Sequence, residues 1–149
     1  MTEIDLYELG RTPSERVLPK LLERVLERGK RAVVMLGSDE RVEALNAHLW
    51  TYAQRSFLPH GAAGDGFAED QPIYLTSADE NPNAASILLL LNEQNSSNIS
   101  EFERCLEIFN GNDSAVVERA RERADSHRAA GHTVTYWRQR EGGGWDKAG

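Results

Sequence analysis

Ala32-Val33-Val34-Met35-Leu36 is a run of five apolar residues followed at once by Gly37-Ser38-Asp39-Glu40. An uninterrupted apolar run of this length, bounded by turn residues, reads as a strand buried on both faces, and such strands belong to parallel sheets. Ser38 then offers an N-cap, Asp39 and Glu40 fall in the first turn where the helix dipole favours acids, and Val42, Leu45, Leu49 and Trp50 repeat at helical spacing. A buried strand feeding a helix directly is the βα step from which an α/β domain is built.

Working outward, Ile4–Leu9 alternates well enough for a first strand ended by Gly10, and Thr12-Pro13-Ser14-Glu15 reads as a capped helix start. Val17, Leu18, Leu21, Leu22, Val25 and Leu26 carry that helix to a stop at Gly29, with Pro19 expected to bend it. Pro72–Thr76 and Ser86–Leu91 are the next strands. Between them and the second helix, Ser56–His60 is expected to be extended and Gly61–Gln71 to be a loop. Within 101–109 a short helical turn followed by a strand is favoured. Asp113 or Ser114 opens a last helix, Gly131 closes it, and Thr133–Trp137 is a final strand. The expected architecture is one three-layer α/β domain over residues 1–137, a mainly parallel sheet with helices on both faces. Residues 138–149, with three consecutive glycines and Trp145 as their main apolar group, are expected to form a flexible tail.

The chain has 149 residues, a net charge of -7 and a single cysteine, Cys105. One cysteine excludes an intramolecular disulfide and a thiolate metal cluster, and an acidic balance argues against wrapping around bulk nucleic acid. The N-terminus lacks the basic and apolar regions of a signal peptide, and no apolar run is long enough to span a bilayer. A soluble cytoplasmic protein without a membrane partner is the expectation.

Gly61-Ala62-Ala63-Gly64-Asp65-Gly66 superficially resembles a phosphate-cradling loop, but acids and Pro72 follow it and no lysine stands where such a loop needs one. His48, His60, His127 and His132 show no metal-ligand spacing, so neither a metal nor a cofactor is expected. Cys105 reads as a small core residue. Trp50, Tyr52, Phe57 and Pro59 gather large apolar groups around a helix end, a pattern shared by ordinary core packing and by protein interfaces.

The last helix is a basic island in an acidic chain, with Arg119, Arg121, Arg123 and Arg128. Val116, Ala120 and His127 are expected to face the sheet, leaving Val117, Arg121, Ala124 and Arg128 on a neighbouring stripe. Such a stripe is either a solvated face or a carboxylate receptor, in which the planar guanidinium forks grip acidic groups and the small residues leave a shallow apolar pocket.

Several of these segments together resemble the chi subunit family of the bacterial DNA polymerase III holoenzyme. They are Glu27-Arg28-Gly29-Lys30-Arg31 before a strand, Leu49-Trp50 followed by Ser56-Phe57-Leu58-Pro59-His60 and the Gly64-Asp65-Gly66 loop, and Ala120-Arg121-Glu122-Arg123 leading to Ala130-Gly131. The likeness spans roughly Ile4 to Trp137. It implies a nucleotide-binding-like topology without a phosphate loop, no catalytic site, and a bridging role at the replication fork. On this resemblance the chain is a non-catalytic adaptor linking the clamp-loader complex to the acidic, hydrophobic C-terminal tail of single-stranded-DNA-binding protein, touching nucleic acid only indirectly. The resemblance makes Arg121 the residue that grips the tail, with Val117, Ala124 and Arg128 beside it. It makes Trp50 and Phe57, with Pro59 and His60, the surface for a second partner, the psi subunit or a repair helicase. Better-known members carry an aromatic residue and a lysine where this chain has Ala124 and Asp125, a change that should weaken the tail site. The rival expectations are a small nucleotide-binding or hydrolytic α/β enzyme and an acidic-peptide-binding module outside replication.

Overall fold

The computed structural model describes residues 2–10, 12–52, 60–62, 68–91, 94–141 and 144–148. In chain order the elements are β1 (Glu3–Leu9), α1 (Ser14–Glu27), β2 (Ala32–Met35), α2 (Asp39–Tyr52), β3 (Gly61–Ala62), β4 (Ile73–Thr76), β5 (Ile87–Leu91), β6 (Arg104–Asn110), α3 (Ser114–Ala129), β7 (Thr133–Gln139) and β8 (Trp145–Lys147). The strands form one sheet in the order β3-β4-β2-β5-β6-β1-β7-β8. Every described pairing is parallel except β7 with β8.

The apolar run at Ala32 is a central strand, buried along its whole length between β4 and β5, as expected of a strand covered on both faces. One face of the sheet packs against α1 and α2 through Leu18, Leu22, Val25, Leu45 and Leu49. Leu18 and Leu22 are fully buried, each contributing about 2 kcal/mol by the area removed from water. The other face packs against α3 through Ala120 and Ala124, with Ile99 and Phe102 extending the layer beside it. Three layers result.

Local chemistry accounts for most helix ends. Asp113 caps α3, its carboxylate accepting from the backbone N–H of Ala115 at 3.0 Å and of Val116 at 3.4 Å. Ser38 caps α2 by accepting from the backbone N–H of Arg41 at 3.2 Å. Gly29 and Gly131 adopt φ of 70° and 92° just past α1 and α3, the left-handed stop that glycine supplies without strain.

Some expectations are corrected. The cap of α1 is Pro13 rather than Thr12, with no side-chain cap hydrogen bond. Pro13 carries no N–H and pre-sets its own φ, so the helix starts one residue later than a capping box would place it. Gly61-Ala62, expected in a loop, is a short edge strand, and Ala68–Asp70 is a helical turn. The favoured reading of 101–109 stands, in contrast: a helical turn at Ile99–Glu101 precedes β6, so Cys105 lies on a strand and is fully buried. Beyond Trp137, β7 continues to Gln139 and Trp145–Lys147 returns alongside it as β8, where a tail without structure was expected. Composition hides this strand because what holds it is distant in sequence: Trp145 packs edge-to-face on Tyr7 at 5.0 Å.

Candidate functional site

The rows of α3 and β7 meet at an open groove of about 320 Å³ lined by Arg121, Ala124, Asp125, Arg128, Tyr136 and Arg138 among others. Helical spacing places Arg121, Ala124 and Arg128 on one side of α3, and the alternation of β7 turns Tyr136 and Arg138 to the same face of the sheet. Ala124 is 2% exposed, so it is part of the core contact of α3 and presents only a small floor to the groove. Val117 is partly buried against the same core and does not line this groove. The stripe read from the sequence is therefore split: Val117 packs inward, while Arg121, Ala124 and Arg128 converge.

Beneath the groove, Glu8 at the end of β1 organises the charges. The Tyr136 hydroxyl donates to Glu8 Oε1 at 2.5 Å, and Arg138 Nε donates to Glu8 Oε2 at 2.8 Å. Burial, followed by the bond to Glu8, pushes the Tyr136 hydroxyl up to about 12, so the phenol is neutral at physiological pH; the hydrogen bond from Arg121 acts in the opposite direction. Arg121, Tyr136, Glu8 and Arg138 thus form one connected network, with two guanidinium groups at its surface. Arg128 Nη1 lies 3.6 Å from Asp125 Oδ1, a solvent-exposed pairing of little energetic weight.

A second buried carboxylate supports α3 from below. Glu107 on β6 is 2% exposed, accepts from Arg123 Nε at 3.0 Å, and lies 3.7 Å from His127 Nε2. His127, expected to face the sheet, does so through this acid. Sequence reading missed Glu8, Glu107, Tyr136 and Arg138. The available signal was alternation: Glu8 follows Ile4 and Leu6, and Glu107 falls between Cys105 and Phe109, on faces that are otherwise apolar, and a buried acid requires a partner.

The other set of expected residues is separate from this groove. His60 is 5% exposed at the entrance to β3, on the opposite margin of the sheet from β7. Trp50 belongs to the last turn of α2, whereas Phe57 and Pro59 lie outside the described residues, as do positions 63–67 of the glycine-rich segment. Above the carboxyl ends of β2 and β5, where nucleotide-binding sheets hold their ligand, there is a cavity of about 130 Å³ whose lining includes Leu18, Leu36, Leu45, Leu91 and Arg41. The connection from β2 to α2 carries no glycine-rich phosphate loop. Among the described residues there is no cluster of three or more His, Cys, Asp or Glu side chains able to hold a metal, and no helix long and apolar enough to cross a membrane.

Fold and groove define a three-layer α/β protein with a mostly parallel sheet and a nucleotide-binding-like layout, without a phosphate loop among the described residues. The family model described as DNA polymerase III chi subunit, HolC, matches residues 1–135, and the chain belongs to that family. It is 28% identical over 109 residues to the "Probable DNA polymerase III subunit chi" of Rickettsia prowazekii (strain Madrid E), a match covering 73% of this chain and 66% of that relative, just under two thirds of its length. The family is one of DNA-replication subunits. Its matched residues end at 135, so Tyr136, Arg138 and β8 lie beyond them.

Proposed function

We propose that the groove between α3 and β7 receives the acidic, hydrophobic C-terminal tail of single-stranded-DNA-binding protein, and that the chain is a non-catalytic adaptor joining that protein to the clamp-loader complex. The observation that carries this reading is the convergence of Arg121, Arg128 and Arg138 around a groove floored by Ala124 and Tyr136. Arg121 and Arg138 are oriented by Tyr136 and Glu8. Less conformational entropy is then lost when they take a carboxylate. The small Ala124 leaves room for an apolar side chain next to the terminal carboxylate. Asp125 at the rim opposes an anion, so binding is modest and weakens with salt.

A separate partner surface, for the psi subunit or another replication or repair protein, is assigned to the end of α2 around Trp50 and the Phe57–His60 segment.

The test is an anisotropy titration of the full chain with a labelled C-terminal peptide of single-stranded-DNA-binding protein at low and moderate salt. Saturable binding that Arg121→Ala weakens supports the reading, and unchanged affinity in that variant rejects the site.

A further inference from the structure

On the opposite face of the sheet, α1 bears a second cationic surface. Arg16, Lys20, Arg24 and Arg28 follow one another at intervals of four residues. At 1.5 Å per residue the row spans about 18 Å with a step of about 6 Å. It forms one wall of a groove of about 450 Å³ whose other wall is the β7–β8 hairpin, through Gln139, Gly144 and Trp145. Through Leu21 and Arg24 this groove continues into a recess of about 140 Å³ reaching Tyr7, Lys30 and Arg104. Six cations line the two together, and no carboxylate does so among the described lining residues.

This composition is unusual in a chain of net charge -7. Arg104 and Lys30, at one end, are paired with Asp5 and Glu103. By contrast, no hydrogen bond or ion pair to a described carboxylate engages the side chains of Arg16, Lys20, Arg24 or Arg28. Glu23 and Glu27 stand three residues from Lys20 and Arg24, but neither lines the groove or the recess. The floor exposes little aliphatic surface, because Leu21, Val25, Ile87 and Leu106 are buried beneath it. What remains partly open in the lining is Val17 and two aromatic rings, Tyr7 and Trp145, packed edge-to-face at 5.0 Å. A greasy partner helix would find too little to cover. A row of guanidinium and ammonium groups beside a held indole is the arrangement that tracks a phosphodiester backbone and stacks a base.

We propose that the groove along α1 binds a short stretch of single-stranded nucleic acid, with phosphates on the Arg16–Lys20–Arg24–Arg28 row and an unstacked base against Trp145. A duplex is excluded, since its bases are already stacked and paired and offer no free face to the indole. The acidic remainder of the surface limits the contact to a few nucleotides and repels a longer strand outside the groove. This site is independent of the α3 groove and lies on the other side of the sheet.

The experiment is an anisotropy titration of the full chain with a labelled twelve-residue oligothymidylate, repeated over a salt series. For three or four neutralised phosphates, the slope of log affinity against log salt is expected to be about -2 to -3. Arg16→Glu, Lys20→Glu and Arg24→Glu together should abolish binding while the melting temperature stays within a few degrees, with the single Lys20→Gln giving a smaller loss if the triple variant folds poorly. Trp145→Phe, which keeps an aromatic ring, should hold affinity within a few-fold; Trp145→Ala should lower it about tenfold, the scale of one base stack, without changing the slope. Arg121→Ala should bind the oligonucleotide as the parent does. Absence of binding at low salt, or binding untouched by the triple variant, overturns the proposal. So does equal or tighter groove-dependent binding of a ten-residue oligoglutamate, which would assign the groove to an acidic peptide instead.

Discussion

The α3 and α1 grooves both display arginines, but they hold them differently. At the α3 side, three of the cations have an acid or a phenol behind them: Arg138 rests on Glu8, Arg121 on Tyr136, and Arg123 on the buried Glu107. Along α1, the four cations of the row project from the helix with no described carboxylate behind them. The first arrangement costs desolvation and provides orientation, which suits one small anion in a defined pose. The second leaves long side chains unbraced by the sheet, which suits a flexible polyanion recognised by charge spacing. Local charge density alone would rank the two grooves the wrong way round for specificity. What separates them is whether the sheet places acids underneath.

The largest effect should come from removing that support. Glu107→Ala leaves Arg123 and His127 over a buried void of charge and is expected to destabilise the fold by about 3 kcal/mol in urea denaturation. Oligothymidylate binding to the surviving folded fraction should be unchanged. A loss below about 1 kcal/mol would mean the acids do not hold α3, and the contrast between the grooves would collapse.

Next in size, Arg121→Ala should reduce affinity for the tail peptide roughly tenfold, the worth of one charge-assisted hydrogen bond, with no change in the melting temperature beyond a few degrees.

Alkaline pH offers a third handle. The Tyr136 hydroxyl is held near 12 against an ordinary value near 10, so its contribution to stability is complete below about pH 10 and is lost as pH rises towards 12. Tyr74, also pushed up to about 12, by burial and by Glu80, behaves the same way. Tyr136→Phe should therefore cost about 1 kcal/mol at neutral pH and make the fall in stability above pH 10 shallower without removing it. An identical alkaline profile in parent and variant would contradict the network at Glu8.

The smallest expected change is a gain. Asp125→Asn removes the one acid lining the α3 groove among the described residues and should tighten the tail peptide two- to threefold, an effect of about 0.5 kcal/mol that fades in high salt. A loss of affinity would show that Asp125 orients Arg128 rather than opposing the ligand.

Much of the scaffold was legible in advance. The apolar run at 32–36, the acid-capped start of α3 at Asp113 and the glycine stops at 29 and 131 are local signals, and each element they mark is present. The helix at 114–129 showed its arginines openly, and three of its four stripe positions, Arg121, Ala124 and Arg128, meet at the groove while Val117 does not. Val117 and Ala124 are both small and apolar, and periodicity could not decide which of them the sheet would bury or where β7 would supply Arg138. The expected second interface remains legible only as composition, since Phe57 and Pro59 fall outside the described residues.

By itself the sequence determined the three long helices and the strands other than β3 and β8, because apolar periodicity, caps and glycine stops act over a few residues. It also determined that Arg121 and Arg128 share a helical side, and it marked the family. Only the tertiary structure decided that β1 lies between β6 and β7, bringing Glu8 to Tyr136 and Arg138 across 128 and 130 residues of chain. It alone folded β8 back so that Trp145 meets Tyr7 and faces α1 across a groove. Strand order depends on which buried faces pack together over the whole sheet, a global balance of burial that no local window of residues contains.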